Sequence, residues 1–352
     1  MLKKDIKFIL ECKSQVACDL KNTVALQNTN KTLFAIIKTP TFQLYKAIGE
    51  CDERDFAFEY DYLEFIEKAK KIHGTQHMFE VHKDGLIEVY KKKTGESLEI
   101  IDLKPQPISP AFFPTTSGLA NLPDKKTLLN LIKSTKRYQC HFDYFTGFNE
   151  ASLISGESLY VFATDGIHSL RYNLSEYYGV SNAKMSYHIS MDSLSVLEVF
   201  MRYSGEGFNF NIIKDTLVVM CPGGCLRLKL QDNDDVDEDV INYFFKSKGD
   251  CLISLDEEKK EEILNFFSRN YLSQYRKEHD IKESLELYLE IDNSGISLKE
   301  ENVLQWNLTH GFRLKKRICL YHFIEFIKAH SGVIEVYEDR IISKDYNSIL
   351  YL

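Results

Sequence analysis

Three stretches of the chain repeat one layout: a short strand, an amphipathic helix, a strand, a tight turn and a further strand. They read "FEYDYLEFIEKAKKIHGTQHMFEVHKDGLIEVY" (58–90), "YHISMDSLSVLEVFMRYSGEGFNFNIIKDTLVVM" (187–220) and "RICLYHFIEFIKAHSGVIEVYEDRIIS" (317–343). Aligned on the first apolar helix residue, Leu63, Leu194 and Phe323 stand 131 and 129 residues apart. Leu63, Ile66 and Ala69 fall on one helical face, as do Leu194, Leu197 and Met201. Asp61 and Asp192 occupy N-cap positions, where a carboxylate accepts from free backbone N–H groups. "HKDG", "IKDT" and "YEDR" supply the turn between the two following strands. A recurrence at this period restricts the chain to an array of related units, each burying one side of a sheet under helices.

A less distinct half-unit precedes two of these stretches. "DKKTLLNLIKSTKRY" (124–138) and "DEEKKEEILNFFSRNYLSQY" (256–275) open on an acidic cap and continue with helical periodicity. Strands follow each, "SLYVFATDGIHSLRYNL" and "LELYLEIDNSGISLKEENVLQWNL". In the first third "TLFAIIKTPTFQLYKAI" takes the strand place, and "SQVACDLKNTVAL" (14–26) takes the helix place with weak marking. The segment 104–118, "KPQPISPAFFPTTSG", holds four of the seven prolines and reads as a linker, and "QDNDDVDEDV" (231–240) leads to a second boundary. The expectation is α+β: three related domains of helices over antiparallel strands, spanning 1–112, 113–246 and 247–352.

Composition narrows the function classes. With 44% hydrophobic residues the 352-residue chain can bury substantial cores. A net charge of −8 argues against a coat of positive charge but leaves room for local Lys/Arg clusters that meet phosphates. Eight scattered cysteines, a charged start without a secretory leader and no membrane-length apolar run predict reduced thiols in a cytoplasmic protein. Cys221 and Cys225 of "CPGGC" lack nearby further ligands, so a hairpin turn on Pro222-Gly223-Gly224 is the reading rather than a metal site. The acidic run 231–240 lacks the central glycine and final Glu of a calcium loop and reads as a solvated connector. No cofactor is expected.

"ATDGIHSL" (163–170) carries the sharpest choice. As chemistry, Asp165 and His168 form an acid/base pair with Thr164 or Ser169 as the nucleophile of a hydrolase. As structure, Asp165-Gly166 turns one strand into the next. Neither a nucleophile elbow, a phosphate-binding glycine loop nor a zinc signature accompanies it, which favours the turn.

The three-unit layout and this motif resemble the bacterial sliding clamp, the beta subunit of the replicative DNA polymerase. "ATDG" corresponds to the family's "ATDGHRL", which lines a pocket for partner peptides. "YQCHFDYFTG" (138–147) is similar to the family's "HQDVRYYLNG", with Gln139 and Tyr144 on DNA-touching positions and Phe145 on an apolar position of the pocket. "SILYL" ends the chain where the family has "MPMRL". Departures are specific. "HRL" has become "IHSL", a one-residue slip without the adjacent Arg; the family's "FPDY" is replaced by "DDVDEDVINYF"; and the tail lacks proline and methionine. Such changes suit a pocket for a different peptide, as in a virus- or plasmid-encoded clamp.

The resemblance implies a homodimeric ring around double-stranded DNA, helices inside and sheets outside, that holds DNA polymerase and clamp loader through short peptides. The pocket would comprise Phe145, Thr164, Gly166, His168, Leu170, Val240, Ile349, Leu350, Tyr351 and Leu352. For the apolar members taken singly, ordinary core is the plainer role. Phosphate contacts, which carry no sequence information, would come from Lys70, Lys71, Lys125, Lys126, Lys133, Lys136, Arg137, Gln139, Tyr144, Arg202, Lys259 and Arg269, with Lys68, Lys260 and Lys328 beside them. Surface helices are ordinarily rich in lysine, so a solvated face is the plainer role for each. A clamp-like decoy or structural protein that binds polymerase partners without loading on DNA is a further reading.

Overall fold

The structure is a computed structural model that describes residues 3–12, 22–51, 54–71, 77–91, 93–101, 103–111, 120–137, 150–155, 158–164, 168–174, 185–233, 236–245, 251, 253–270, 286–292, 295–298, 301–305, 313–330, 332–343 and 348–351. One order of elements recurs three times. The first runs α1 (Lys3–Glu11), β1 (Thr23–Thr29), β2 (Thr32–Lys38), β3 (Phe42–Glu50), β4 (Phe56–Asp61), α2 (Tyr62–Lys71), β5 (His77–Val81), β6 (Ile87–Lys91) and β7 (Ser97–Ile101). Short strands β8 (Gln106–Pro107) and β9 (Ala120–Asn121) then lead to the second. It runs α3 (Lys125–Arg137), β10 (Ala151–Ser155), β11 (Leu159–Thr164), β12 (His168–Asn173), β13 (Met185–Ile189), α4 (Met191–Tyr203), β14 (Asn209–Ile213), β15 (Thr216–Cys221) and β16 (Gly224–Lys229). After β17 (Gln231–Asp232), α5 (Glu238–Phe245) and β18 (Ile253–Leu255) comes the third. It consists of α6 (Glu257–Asn270), β19 (Glu286–Asp292), β20 (Gly295–Leu298), β21 (Glu301–Gln305), β22 (Arg313–Cys319), α7 (Leu320–Ala329), β23 (Ile334–Val336), β24 (Arg340–Ser343) and β25 (Ser348–Tyr351).

Local chemistry explains most boundaries. Asp124 accepts from the backbone N–H of Lys126 and Thr127 at 2.9 and 3.0 Å, and Asp256 accepts from Lys259 N–H at 3.0 Å, which starts α3 and α6. Asp61 does the same for α2 through Glu64 N–H at 2.9 Å. In α2 the buried stripe is Tyr62, Phe65, Ile66 and Ala69, while Leu63 is half-buried. The fourth cap differs from the sequence expectation. Ser190, not Asp192, is the N-cap of α4: its backbone is extended and its hydroxyl accepts from Ser193 N–H at 3.2 Å. Asp192 already lies in the first turn, where its charge meets the helix dipole. The "CPGGC" hairpin is as expected, with Pro222 and Gly223 (φ 73°) between paired Cys221 and Gly224.

The first third needs a further correction. The helix lies at Lys3–Glu11, ahead of the expected 14–26, and Val24, Ala25 and Leu26 belong to β1. β1 is buried on both faces, so its apolar residues run without the alternation that marks a half-buried strand. Residues 13–21 lie outside the described residues.

The chain divides into two compact units. One comprises Met1–Lys133, Ser175–Val180 and Tyr187–Asn233, and the other Ser134–Leu174, Ser181–Ser186 and Asp234–Leu352. The first holds a nine-stranded sheet ordered β8-β4-β1-β2-β3-β16-β15-β14-β9, and a separate sheet ordered β5-β6-β7. In the second unit seven strands run in the order β10-β11-β12-β25-β24-β23-β18, beside a sheet ordered β21-β20-β19-β22. In both large sheets the last strand of one repeat therefore pairs with the third strand of the repeat before it.

The proline-rich linker is partly built into the first unit. Pro107 sits opposite Phe58 at the sheet edge, where a residue without N–H costs no ladder bond. The buried Gln27 amide donates to Ala111 O at 2.9 Å and accepts from Ala111 N–H at 2.8 Å. Gly85 of the "HKDG" turn has φ 85°, and a Cβ there would stand 2.5 Å from Pro105 Cβ. Only glycine satisfies both demands. No helix among the described residues is long and apolar enough to cross a membrane.

Candidate functional site

The corner after "YVFAT" is built by β11 and β12, with Ala163 opposite Leu170 and Thr164 opposite Ser169. β25 lies on the far side of β12, with His168 opposite Leu350, Ser169 opposite Ile349 and Leu170 opposite Ser348. The C-terminal strand is thus seated against the strand that follows the motif. Asp165, Gly166 and Ile167 at the tip lie outside the described residues, as do Gln139, Tyr144, Phe145 and Leu352 and the side chains of Val240 and Tyr351.

Directly opposed residues of an antiparallel pair share a face. Thr164, Ser169 and Ile349 therefore share one face, together with Tyr160, Phe162 and Arg171. His168, Leu170 and Leu350 take the other. The expected pocket residues are divided between the two sides of the sheet. On the Thr164 side a core of Ile154, Phe162, Ile342 and Ile349 packs with Val236, Tyr337 and the α5 residues Ile241 and Phe245. His168, Leu170 and Leu350 are each buried to 4% exposure or less by the chain itself. Relative to "ATDGHRL" the chain has one extra residue before the histidine, in the segment between β11 and β12.

The hydroxyls of the corner are spent internally. Ser169 Oγ donates to Thr164 Oγ1 at 2.9 Å, and Thr164 Oγ1 donates to the His168 carbonyl at 2.7 Å. Both residues are at most 1% exposed. Neither hydroxyl passes its proton to an imidazole or a carboxylate, which is what a nucleophile requires.

One residue missed by the sequence reading is Arg171. Its guanidinium carbon lies 4.5 Å from the Phe245 ring centroid and 5.5 Å from that of Tyr160. Burial lowers its pKa, and the nearby Tyr160 opposes that shift. The family's Arg adjacent to His is lost from "IHSL", and this Arg stands one position beyond the motif, facing α5. The available signal was its position immediately after Leu170.

The candidate phosphate contacts also separate. Lys125 Nζ donates to the carbonyls of Ser204 and Arg202 at 2.6 and 3.2 Å, capping the end of α4. Arg202 pairs with Glu11 at 2.8 Å and Glu198 at 3.3 Å, and Tyr203 donates to Glu11 at 2.7 Å, joining α4 to α1. Lys68 pairs with Glu64 and Lys259 with Asp256. Lys260 is 2% exposed, with Nζ on the His330 carbonyl at 2.8 Å and on Glu257 at 2.9 Å; a position facing DNA is excluded for it. Lys136 is half-buried, Lys328 is exposed, and the side chains of Lys71 and Arg137 lie outside the described residues. Lys70, Lys126, Lys133 and Arg269 are exposed. No ion pair holds these four among the described residues. No group of three metal-ligating side chains occurs among the described residues.

No protein-family model matches the sequence, and neither does any curated protein. Solved structures do match along the whole chain. A DNA polymerase sliding clamp from Bacillus subtilis superposes with a TM-score of 0.70 at 13% identity, covering 100% of this chain and 97% of that one. A Helicobacter pylori beta clamp bound to a DNA ligase peptide gives 0.68 at 13% identity, with 100% and 98% covered. A sliding clamp, DNA polymerase III subunit beta, from Pseudomonas aeruginosa bound to griselimycin gives 0.70 at 14% identity, with 100% and 97% covered. Three repeats of one α+β unit in this order give the chain the fold of the bacterial sliding clamps.

Proposed function

We propose that this protein is a DNA sliding clamp, a non-enzymatic processivity factor. It encircles duplex DNA as a homodimer, tethers a DNA polymerase and receives a clamp loader through short peptides, in the cytoplasm. Its clamp domains are residues 1–112, 113–246 and 247–352. The observation that carries this reading is the fold match along the full chain to clamps, one of them bound to a DNA ligase peptide.

The strand joints support the closed ring. β16 pairs with β3 and β25 pairs with β12, each a last strand against the third strand of the preceding repeat. The same rule leaves β7 and β21, both at sheet edges, without partners of that kind. On β7, Leu98 and Ile100 are 40% and 53% exposed. β7 of one copy against β21 of another satisfies both edges, and two copies close the cycle.

Lys70, Lys126, Lys133 and Arg269 are the best candidates for sequence-independent phosphate contacts, with Lys136, Lys71, Arg137, Gln139 and Tyr144 behind them. The peptide pocket lies on the α5 side of the corner. Arg171, Phe245 and Tyr160 join Thr164 there, and Phe145, Val240, Tyr351 and Leu352 remain members of the expected set whose side chains lie outside the described residues. The test is retention on circular DNA. The loaded protein should stay on a nicked circle, leave after linearisation, and be lost progressively as salt rises. Equal release from circle and linear fragment would refute encirclement, and peptide binding without retention would leave the decoy reading.

A further inference from the structure

The two large sheets are joined in the same way, yet only one joint carries the corner described above. The corresponding place on the other joint holds a cavity of about 420 Å3. It lies between the β2–β3 turn (Thr39, Pro40, Thr41), the β14–β15 turn (Lys214, Asp215) and the end of β16. The correspondence follows from register: Leu228 stands opposite Phe42 at this joint as Leu350 stands opposite His168 at the other. We propose that this cavity is a second docking site, one that takes a short acidic peptide carrying one apolar side chain.

Rigidity is the first argument. Thr39 Oγ1 accepts from Phe42 N–H at 2.9 Å and from Thr41 N–H at 3.2 Å, locking the first turn. Lys229 N–H donates to Thr41 O at 2.9 Å and Leu230 N–H to Asp215 O at 2.7 Å, so both turns are pinned to the end of one strand. The walls are therefore formed before a ligand arrives, which lowers the ordering cost of binding.

Charge is the second. Lys214, Arg227 and Lys229 line the cavity against a single carboxylate, Asp215, in a chain whose net charge is −8. None of the three cations has an ion pair among the described residues. Arg227 lies between Val218 and Gln43 on neighbouring strands, and its Nε is buried without a hydrogen-bond partner. A buried donor in that state is a cost that a carboxylate removes with a charge-assisted bond.

The apolar lining decides between kinds of anion. On the wall Pro40 and Ile213 present apolar surface to water, Ile213 at 40% exposure, above the buried Phe42 and Val218. A bare phosphate chain would leave that surface in water, whereas an apolar side chain between acidic residues covers it.

The experiment is fluorescence anisotropy of the peptide acetyl-Asp-Glu-Phe-Asp-Glu, carrying a neutral dye, on the full-length protein. The charge-reversed Lys-Lys-Phe-Lys-Lys serves as control. The acidic peptide should bind and the reversed one should not. Arg227→Gln and the surface change Lys229→Glu should each weaken binding at least tenfold, and Ile213→Ser severalfold, at unchanged Tm. Arg171→Ala, at the other joint, should leave it unchanged. The proposal fails if neither peptide binds, if both bind equally, if Lys229→Glu has no effect, or if Arg171→Ala abolishes binding. It also fails if a single-stranded oligonucleotide of equal charge binds more tightly and displaces the peptide. Failure of DNA retention would leave this site standing, because the site rests on the cavity alone.

Discussion

Single residues show how far a local reading reaches. Lys259 and Lys260 stand side by side in "EEKKEE", yet one reaches its N-cap carboxylate and the other is buried against the His330 carbonyl. Replacing Lys260 with Ala removes this buried charge-assisted bond, so unfolding in urea should show a loss of about 1–3 kcal/mol. The salt dependence of DNA retention should not change, whereas Lys133→Ala should reduce it. Buried thiols make a second prediction. Burial pushes Cys12 up to about 12 and Cys225 up to about 11, from an ordinary value of 9.0. Buried Tyr60 and Tyr62 are raised in the same direction, also chiefly by burial. The folded chain keeps protons that the unfolded chain loses, so this contribution is intact below about pH 9 and is lost as pH rises towards 12. The urea midpoint should fall between pH 8 and pH 10.5, and Cys12→Ala should reduce that fall.

Elements obey nearest-neighbour chemistry where it is unopposed. Asp61, Asp124 and Asp256 cap the helices that the sequence assigns to them. In "HISMDSL" both Ser190 and Asp192 are competent caps, and the strand β13 ending at Ile189 decides for the serine. Ser190→Ala should destabilise the protein by about 1 kcal/mol, and Asp192→Ala by less, in thermal denaturation. β1 departs from the expected helix for the opposite reason. Its environment is buried on both faces, and the alternation that announces a strand disappears there. The corner at 163–170 was legible as strand, turn and strand. Which side chains share a face was not legible, because facing follows from the β11–β12 and β12–β25 registers, and β25 comes from a distant part of the sequence.

At the scale of the whole molecule, the proposed homodimer rests on two sheet edges, β7 and β21. Ile100 is 53% exposed on β7, so Ile100→Asp should leave the fold intact. Sizing with mass detection should then give a monomer of 40.9 kDa, with retention on circular DNA lost. A dimer that persists in this variant would place the contact elsewhere. The sequence by itself determined the threefold recurrence, the α+β class, most caps and the hairpin turns, because each depends on residues a few positions apart. Tertiary structure alone decided which strands join, which lysines are spent in ion pairs or buried, and which face of a sheet each corner residue occupies. β12 and β25 meet across just over half the chain, and β3 meets β16 across a similar distance. No local pattern encodes such pairings; they follow from the burial and backbone hydrogen bonding available once the repeats fold together.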